Sequence, residues 1–186
     1  HAQIKGGRQM KITVIESSPH KNGSSNMLAG EFIRGAEDAG HHVTVFDAAS
    51  ADIAPCLGCD ACGMAGDCCQ KDDMAQLKQL ILDGDMVVFV TPLYYFGMSA
   101  QLKAVIARFY SFNGRLTSKG VKTALIAAAC DSNDWTMKDL EAHYDTLCRY
   151  LSFDSKGKIL GTGCGTVSMT ARSPFMKKAY DLGRSL

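Results

Sequence analysis

The sequence has no long apolar run, no surplus of one charge sign, no linker or internal repeat, and neither of the familiar glycine-rich nucleotide motifs. Nothing in it approaches the ~18–20 uninterrupted apolar residues of a membrane span. No leader built of basic, apolar and small-residue blocks opens it, which points to the cytoplasm. Lys and Arg number 20 against 19 Asp and Glu, and the basic residues are scattered. The basic patch of a nucleic-acid binder is therefore missing, and small-molecule or protein partners are expected instead.

What remains is one domain. A chain near 150 residues already buries roughly 68–70% of its unfolded surface, so the 186 residues here can build a core without disulfide staples. His1 to Gln9 is polar and aperiodic, and reads as a cloning remnant or loose tail ahead of a domain spanning 10–186.

Five strand-like runs alternate with five helix-like ones, the pattern of an α/β fold with a parallel sheet. The strands are expected near Lys11–Glu16, His42–Asp47, Asp85–Thr91, Val121–Ala129 and Lys158–Gly161. Met86 to Val90 and Ala124 to Ala129 are continuously apolar, as central strands covered on both faces must be, whereas His42 to Val45 alternates like an edge. Helices are expected over about Asn26–Ala39, closed by Gly40, over a short segment carrying Met74, Leu77 and Ile81, and over Pro174–Leu186. Two more carry the stripes Leu102, Val105, Ile106, Phe109, Tyr110 and Met137, Leu140, Tyr144, Leu147, Cys148, Leu151. Thr136 and Asp139 stand in capping-box spacing at the start of the second stripe. A dinucleotide-type sheet usually needs a sixth strand, so the order 2-1-3-4-5 fits better, with a ligand crevice at the carboxyl ends of the first and third strands.

Both lips of that crevice carry distinctive loops. Ser17-Ser18-Pro19-His20-Lys21-Asn22-Gly23-Ser24-Ser25-Asn26 leads straight into a helix, directing hydroxyls, amides and backbone N–H groups to an anion-attracting N-terminus. It is neither a Walker loop nor Gly-x-Gly-x-x-Gly, so a nucleoside triphosphate is not the expected ligand. Thr91-Pro92-Leu93-Tyr94-Tyr95-Phe96-Gly97-Met98-Ser99 sets three consecutive aromatics at the other lip, suited to a flat conjugated ring.

Cysteine is abundant: eight residues, five of them between Cys56 and Cys69. Cys56, Cys59, Cys62 and Cys68 are close enough in sequence to converge on one metal centre. Their two-residue spacings resemble an iron–sulfur run more than the two separated pairs that zinc usually takes. An empty thiol loop or a redox disulfide is the competing reading, and Cys69 competes with Cys68 as fourth ligand. Cys148 and Cys164 read as packing residues, and Cys130 as a small buried one beside the crevice.

These residues resemble the flavodoxin-fold NAD(P)H-dependent FMN reductases, and within them the iron–sulfur flavoproteins. The resemblance covers Lys11 to about Ala129. It rests on the Ser-Pro-x-Lys-Asn-Gly loop, on the cysteine run closed by Lys71-Asp72-Asp73-Met74, and on Thr-Pro-Leu-Tyr-Tyr-Phe-Gly-Met-Ser-Ala-Gln-Leu-Lys. It implies a flavodoxin-like three-layer sandwich, with Ser17, Ser18, His20, Ser24, Ser25 and Asn26 around an FMN phosphate. Pro92, Leu93, Tyr94, Tyr95, Phe96 and Gly97 would lie against the isoalloxazine ring, and Cys56, Cys59, Cys62 and Cys68 would ligate a [4Fe–4S] cluster. It further implies NAD(P)H as co-substrate, a small acceptor such as a quinone, nitroaromatic or flavin, and a homodimer or higher homo-oligomer. Alternatives are an iron–sulfur flavoprotein exchanging electrons with a ferredoxin-like protein, and a non-enzymatic thiol or zinc module. A flavodoxin-like carrier fits less well, since such carriers are strongly acidic. No side chain need act as acid or base in hydride transfer, so no catalytic residue is expected, and His41, His42 and His143 read as surface or strand residues.

Two positions depart from the family pattern: Ser17 stands where glycine is common, and His20 where arginine is common. A histidine donates to phosphate as a pH-dependent cation. FMN affinity is therefore expected to fall as pH rises above neutral; a dissociation constant flat from mildly acidic to alkaline pH would remove His20 from the phosphate site.

Overall fold

The computed structural model describes residues 8–186. The expected tail falls mostly on residues 1–7, which lie outside these; of its remainder, Arg8 makes a surface ion pair with Asp85 at 3.5 Å. Five strands, β1 (Lys11–Glu16), β2 (His42–Asp47), β3 (Met86–Pro92), β4 (Lys122–Ala128) and β5 (Asp154–Gly161), form one sheet in the order β2-β1-β3-β4-β5. Every pairing is parallel, with Ile12 registered against Val43 on one side and Met86 on the other. The sheet is the flavodoxin-like one that the sequence predicts.

Strand parity sorts the core into two layers. Met86, Val88, Val90, Ala124 and Ile126 face α1 (Ser24–Asp38) and α7 (Pro174–Arg184). Val87, Phe89, Leu125 and Ala127 face the opposite layer. That layer comprises α2 (Met74–Asp83), α3 (Ala100–Ala107), α4 (Asn113–Lys119) and α5 (Lys138–Leu151). Burial on both sides explains why β3 and β4 read as unbroken apolar runs. On the first side α1 and α7 meet backbone to backbone: a Cβ at Gly35 would fall 2.1 Å from Tyr180 O, and one at Gly183 the same distance from Phe32 O. Gly40 follows α1 with φ 92°, while its N–H and that of His41 bond to Glu37 O and Ala36 O, a Schellman closure.

Four local expectations are corrected. The stripe from Leu102 to Tyr110 is not one helix: after α3 the chain tightens into a 3-10 turn, Arg108–Phe112, and then α4. A three-residue repeat superposes Phe109 and Phe112, and both rings are buried, 5.5 Å apart. β5 starts at Asp154 rather than Lys158, because an edge strand tolerates the exposed polar Asp154-Ser155-Lys156, and a bulge opposite Thr123/Ala124 shifts its register. Thr136 caps no helix; its hydroxyl donates to Asp131 Oδ2 at 2.5 Å. His41 is buried rather than exposed, its Nδ1 accepting the Met10 N–H at 3.2 Å.

A buried ion pair holds the helical layer to the loop that precedes it. Arg108 and Asp72 have side chains only 2% and 7% exposed. The guanidinium donates from Nη1 to Asp72 Oδ2 at 2.6 Å and to Ala54 O at 2.8 Å, and from Nη2 to Asp72 Oδ1 at 2.9 Å. Burial works to raise the Asp72 carboxyl, but hydrogen bonds from Arg108 and from the N–H groups of Ala54 and Met74 outweigh it and hold the group below the usual carboxylate range. Asp72 also accepts the Met74 N–H at 3.2 Å, at the start of α2, while carrying the pair.

Replacing Arg108 by methionine leaves a buried carboxylate unpaired and should cost about 3–5 kcal/mol in denaturant titrations, with Asp72→Asn on the same background recovering part of it. The contribution of Asp72 should be intact above about pH 4, the ordinary carboxylate range, and vanish as pH falls through its lower native value. The Asp72→Asn protein, already weakened, should show a flatter loss of stability across that acid window.

Candidate functional site

The carboxyl ends of β1, β3, β4 and β5 open into a crevice of about 660 Å³, inside the usual range for small-ligand sites. One wall is the loop between β1 and α1, including Ser18, His20, Ser24 and Ser25. The facing wall is Pro92, Leu93 and Tyr94 after β3, with Ala128 to Cys130 after β4 and Cys164 to Val167 after β5.

The first wall ends in an uncapped helix. Gly23 takes the N-cap position of α1, no side chain bonds to the first turn, and no acidic residue sits in it. A Cβ at Gly23 would lie 3.0 Å from His20 O, so a side chain there would crowd the tight loop, and glycine supplies no capping hydroxyl. Ser25 is 2% exposed and its Oγ has no hydrogen-bond partner. Buried hydroxyls are nearly always satisfied. An unmatched hydroxyl beside free N–H groups at a helix N-terminus is the chemistry of an anion site, and a phosphate monoester fits it. Lys21 also lines this wall, but its ammonium is engaged, pairing with Asp47 and donating to Ser50 Oγ at 2.7 Å. His20 faces the crevice, its N–H bonded to Ser18 Oγ at 3.2 Å.

Two residues predicted for this wall sit behind it. Ser17 is fully buried; its hydroxyl donates to Val90 O at 2.7 Å and accepts from Ser99 Oγ at 2.8 Å. It holds the ends of β1 and β3 together, which a glycine could not do. Asn26 donates from Nδ2 to Lys21 O at 3.2 Å, shaping the loop from below, while its Oδ1 is buried without a partner.

The aromatic lip is a two-residue turn. Tyr94 and Gly97 exchange backbone hydrogen bonds of 3.0 and 3.1 Å, and Tyr95 and Phe96 between them have φ of 47° and 63°. Such turns normally carry Asn-Gly. Aromatic residues in left-handed conformation cost on the order of 1–3 kcal/mol each. Tyr95 is fully exposed and Phe96 packs on Trp135, with ring centroids 5.2 Å apart. Of the six residues predicted to meet a flat ring, Pro92, Leu93 and Tyr94 line the crevice, while Tyr95, Phe96 and Gly97 are not part of its lining.

Sequence reasoning missed the far wall. Cys130 is exposed to the crevice rather than buried, and Gly165 fits closely against it: a Cβ there would fall 2.6 Å from Cys130 Sγ. Asp131 organises the loop after β4, accepting from Ser132 N–H, Asn133 Nδ2 and Thr136 Oγ1 at 2.8, 2.7 and 2.5 Å. Those bonds, led by Thr136 and Asn133, hold its carboxyl below the usual range. The signal that could have found this wall is topological: each strand ending on the carboxyl edge contributes its following loop.

The cysteine run lies outside the crevice. Among the described residues no three Cys, His, Asp or Glu side chains stand close enough to hold a metal ion. Cys56, Cys59, Cys62 and Cys68, the thiols expected to ligate a cluster, all stand on this loop, Cys56 and Cys59 exposed and Cys62 and Cys68 half-buried. Turns divide the loop, with Asp60 and Met64 at positive φ and Gly66 N–H bonded to Cys62 O at 2.7 Å. The thiols that do meet are Cys59 and Cys69, at 3.7 Å.

Residues 10–147 match the family model described as NADPH-dependent FMN reductase. An iron–sulfur flavoprotein of Archaeoglobus fulgidus is 35% identical over 111 residues, 60% of this chain and 50% of that protein. A putative NAD(P)H-dependent FMN-containing oxidoreductase, YwqN of Bacillus subtilis, is 24% identical over 164 residues, covering 83% of this chain and 86% of the relative. Among solved structures, an NAD(P)H:quinone oxidoreductase from Methanothermobacter marburgensis superposes with a TM-score of 0.79 over 95% of this chain and 96% of its own, at 16% identity. At that identity the likeness bears on the fold alone. The chain spans about half the length of the iron–sulfur flavoproteins it matches.

Ser25→Ala removes an unmatched buried hydroxyl, so the unfolding midpoint of the ligand-free protein should hold or rise slightly. FMN titrated by fluorescence quenching should bind about ten-fold more weakly, the worth of one hydrogen bond to a charged group.

Proposed function

Since the chain belongs to the NADPH-dependent FMN reductase family, we propose that it is an FMN-dependent oxidoreductase that takes reducing equivalents from NAD(P)H and delivers them to a small-molecule acceptor. The observation that carries this reading is the uncapped N-terminus of α1, with the unpartnered Ser25 hydroxyl, opening on a crevice of about 660 Å³. FMN, when bound, supplies the hydride chemistry. The chain binds its phosphate at the first turn of α1 and through Ser25, with His20 beside it. Pro92, Leu93 and Tyr94 offer an apolar wall to the ring, and the backbone of Cys164 to Thr166 closes the opposite side.

The acceptor proposed is a planar conjugated molecule: a quinone, nitroaromatic or free flavin. Phe96 and Trp135 support this, since a tilted aromatic pair at the crevice mouth, exposed by 40% and 50%, offers a ring something to stack on. Asp131 positions that platform by fixing the loop on which Trp135 stands. The exposed Tyr95 and its neighbours also suit a homodimer or higher homo-oligomer, and no helix among the described residues is long and apolar enough to cross a membrane, in keeping with a cytoplasmic enzyme. A second reading, electron exchange between a ferredoxin-like protein and FMN through a cluster, draws on the names of the curated relatives and on the run Cys56, Cys59, Cys62, Cys68.

Anaerobic purification, an absorption spectrum and an iron and acid-labile sulfide assay test the two readings together: flavin bands are expected, iron with sulfide beside them would favour the second reading, and a protein that stays colourless after FMN is added would overturn the first. With a naphthoquinone as acceptor and NAD(P)H in excess, Trp135→Ala should raise KM for the quinone roughly two- to ten-fold, more than it lowers kcat, the scale of an aromatic pair.

A further inference from the structure

Of the eight cysteines, five belong to the loop after β2, and Cys148 and Cys164 are buried. Cys130 is the eighth, and it is exposed where β4 ends in the crevice. Its backbone is pinned on both sides to the chain after β5. Ala129 N–H donates to Gly161 O at 2.8 Å, Ala129 O accepts the Cys164 N–H at 2.7 Å, and Asp131 O accepts the Gly163 N–H at 3.1 Å. Gly165 leaves room for the sulfur, since a Cβ there would fall 2.6 Å from Cys130 Sγ.

The surroundings of this thiol point to a ligand. Ser25, lining the same crevice, is 2% exposed and its hydroxyl has no partner. Buried hydroxyls are nearly always satisfied, so the crevice is built for a group that the chain does not itself supply. Pro92, Leu93 and Tyr94 also line it, and the Leu93 N–H bond to Ala128 O, at 2.8 Å, keeps them beside the end of β4 that carries Cys130. A polarizable nucleophile next to an apolar wall suits a flat conjugated electrophile.

We propose that, when FMN is absent, the crevice binds a quinone and the Cys130 thiol adds to its ring. This rests on the proposed reading of the crevice as a site for planar conjugated molecules. The thiolate is the attacking form. Its electron pair becomes a C–S bond to the ring carbon β to one carbonyl, and the pair of the ring double bond shifts toward that carbonyl's oxygen, which takes the proton given up by the thiol. The hydrogen on the carbon that now bears sulfur then moves to the other carbonyl oxygen, leaving a hydroquinone thioether. Every atom and electron of thiol and quinone is kept, and no oxidant enters. The adduct occupies the crevice, so captured quinone and FMN exclude one another. Bound FMN thereby shields Cys130 from the acceptor it serves.

The test uses the full chain, freed of FMN and of reductant, treated with 1,4-naphthoquinone under nitrogen and digested with trypsin. Cys130 is the sole cysteine of peptide 123–138, whereas the loop cysteines share peptide 35–71. By mass spectrometry peptide 123–138 should gain one intact naphthoquinone, at a rate that levels off as its concentration rises, as reaction from a bound complex must. Addition to peptide 35–71 should rise in proportion instead. FMN at roughly ten times its dissociation constant leaves the crevice free in about a tenth of the molecules, and should slow addition at Cys130 about ten-fold. Cys130→Ser should lose the addition on 123–138 while the loop peptide still reacts. A peptide 123–138 that stays unmodified, a rate there that never levels off, or one that bound FMN does not slow would overturn the proposal. Fluorescence titration of FMN separates this inference from the reading beneath it. FMN binding without capture defeats capture alone; saturable capture in a chain that binds no FMN defeats the flavin reading and leaves capture standing.

Discussion

The hydrogen bond between two buried hydroxyls, Ser99 to Ser17, sits where the chain must part company with itself. At the carboxyl edge of the sheet β1 continues into α1 on one face, and β3 continues toward α3 on the other, so neighbouring strands diverge and a gap opens between their loops. Such a gap closes or frays unless its floor is fixed. Ser17 donates to Val90 O and accepts from Ser99, which caps α3 through the Leu102 N–H at 3.2 Å. Ser99 N–H in turn donates to Thr91 Oγ1 at 2.9 Å. Four groups thereby satisfy one another in an apolar setting, where an unpaired member would be costly and a complete chain is rigid. The crevice above inherits its width from that floor.

The strain at the rim depends on the same anchorage. Tyr95 and Phe96 hold left-handed conformations that an isolated segment would abandon, and neither is secured by burial of its own side chain. The turn persists because its ends are not free: Leu93 N–H extends the β3–β4 ladder to Ala128 O at 2.8 Å, and Ser99, six residues on, caps α3. Energy gained in the sheet and its helices is thus available to hold an unfavourable loop, an arrangement found where geometry serves a ligand rather than stability. Phe96 packs on Trp135 from that turn, and Asp131 gathers the loop after β4 on which Trp135 stands.

What the sequence reveals follows the reach of each interaction. Sheet order and the two lips are legible because they rest on local signals: unbroken apolar runs for β3 and β4, a polar loop running into α1, three aromatics in succession. The Arg108–Asp72 pair spans 36 residues, and nothing in periodicity distinguishes Arg108 from the surface cations around it. For the same reason the 3-10 turn that starts at Arg108 hides inside a helical stripe. Ser17 and Ser25 are chemically identical in the sequence and both are buried; only the partners the fold places around them make one a structural tie and the other an unmatched donor. The wall after β5 was hidden differently, since its glycines matter for what they let approach, Gly165 against Cys130, rather than for any group they carry.

Cysteine spacing shows most clearly where such reading ends. A two-residue interval states that two thiols can reach one centre; whether they do depends on the backbone between them. Here that backbone reverses at Asp60 and again at Met64, and Tyr110 holds the first reversal by donating its hydroxyl to Asp60 Oδ1 at 2.9 Å. These turns also bring Cys59 to Cys69, a meeting that no interval in the sequence announces. The residue types still carry information, because thiols crowded onto an anchored loop will find some partner. Which partner is decided by the turns, and the turns are decided by Asp60, Met64 and the stem that Arg108 fixes from below.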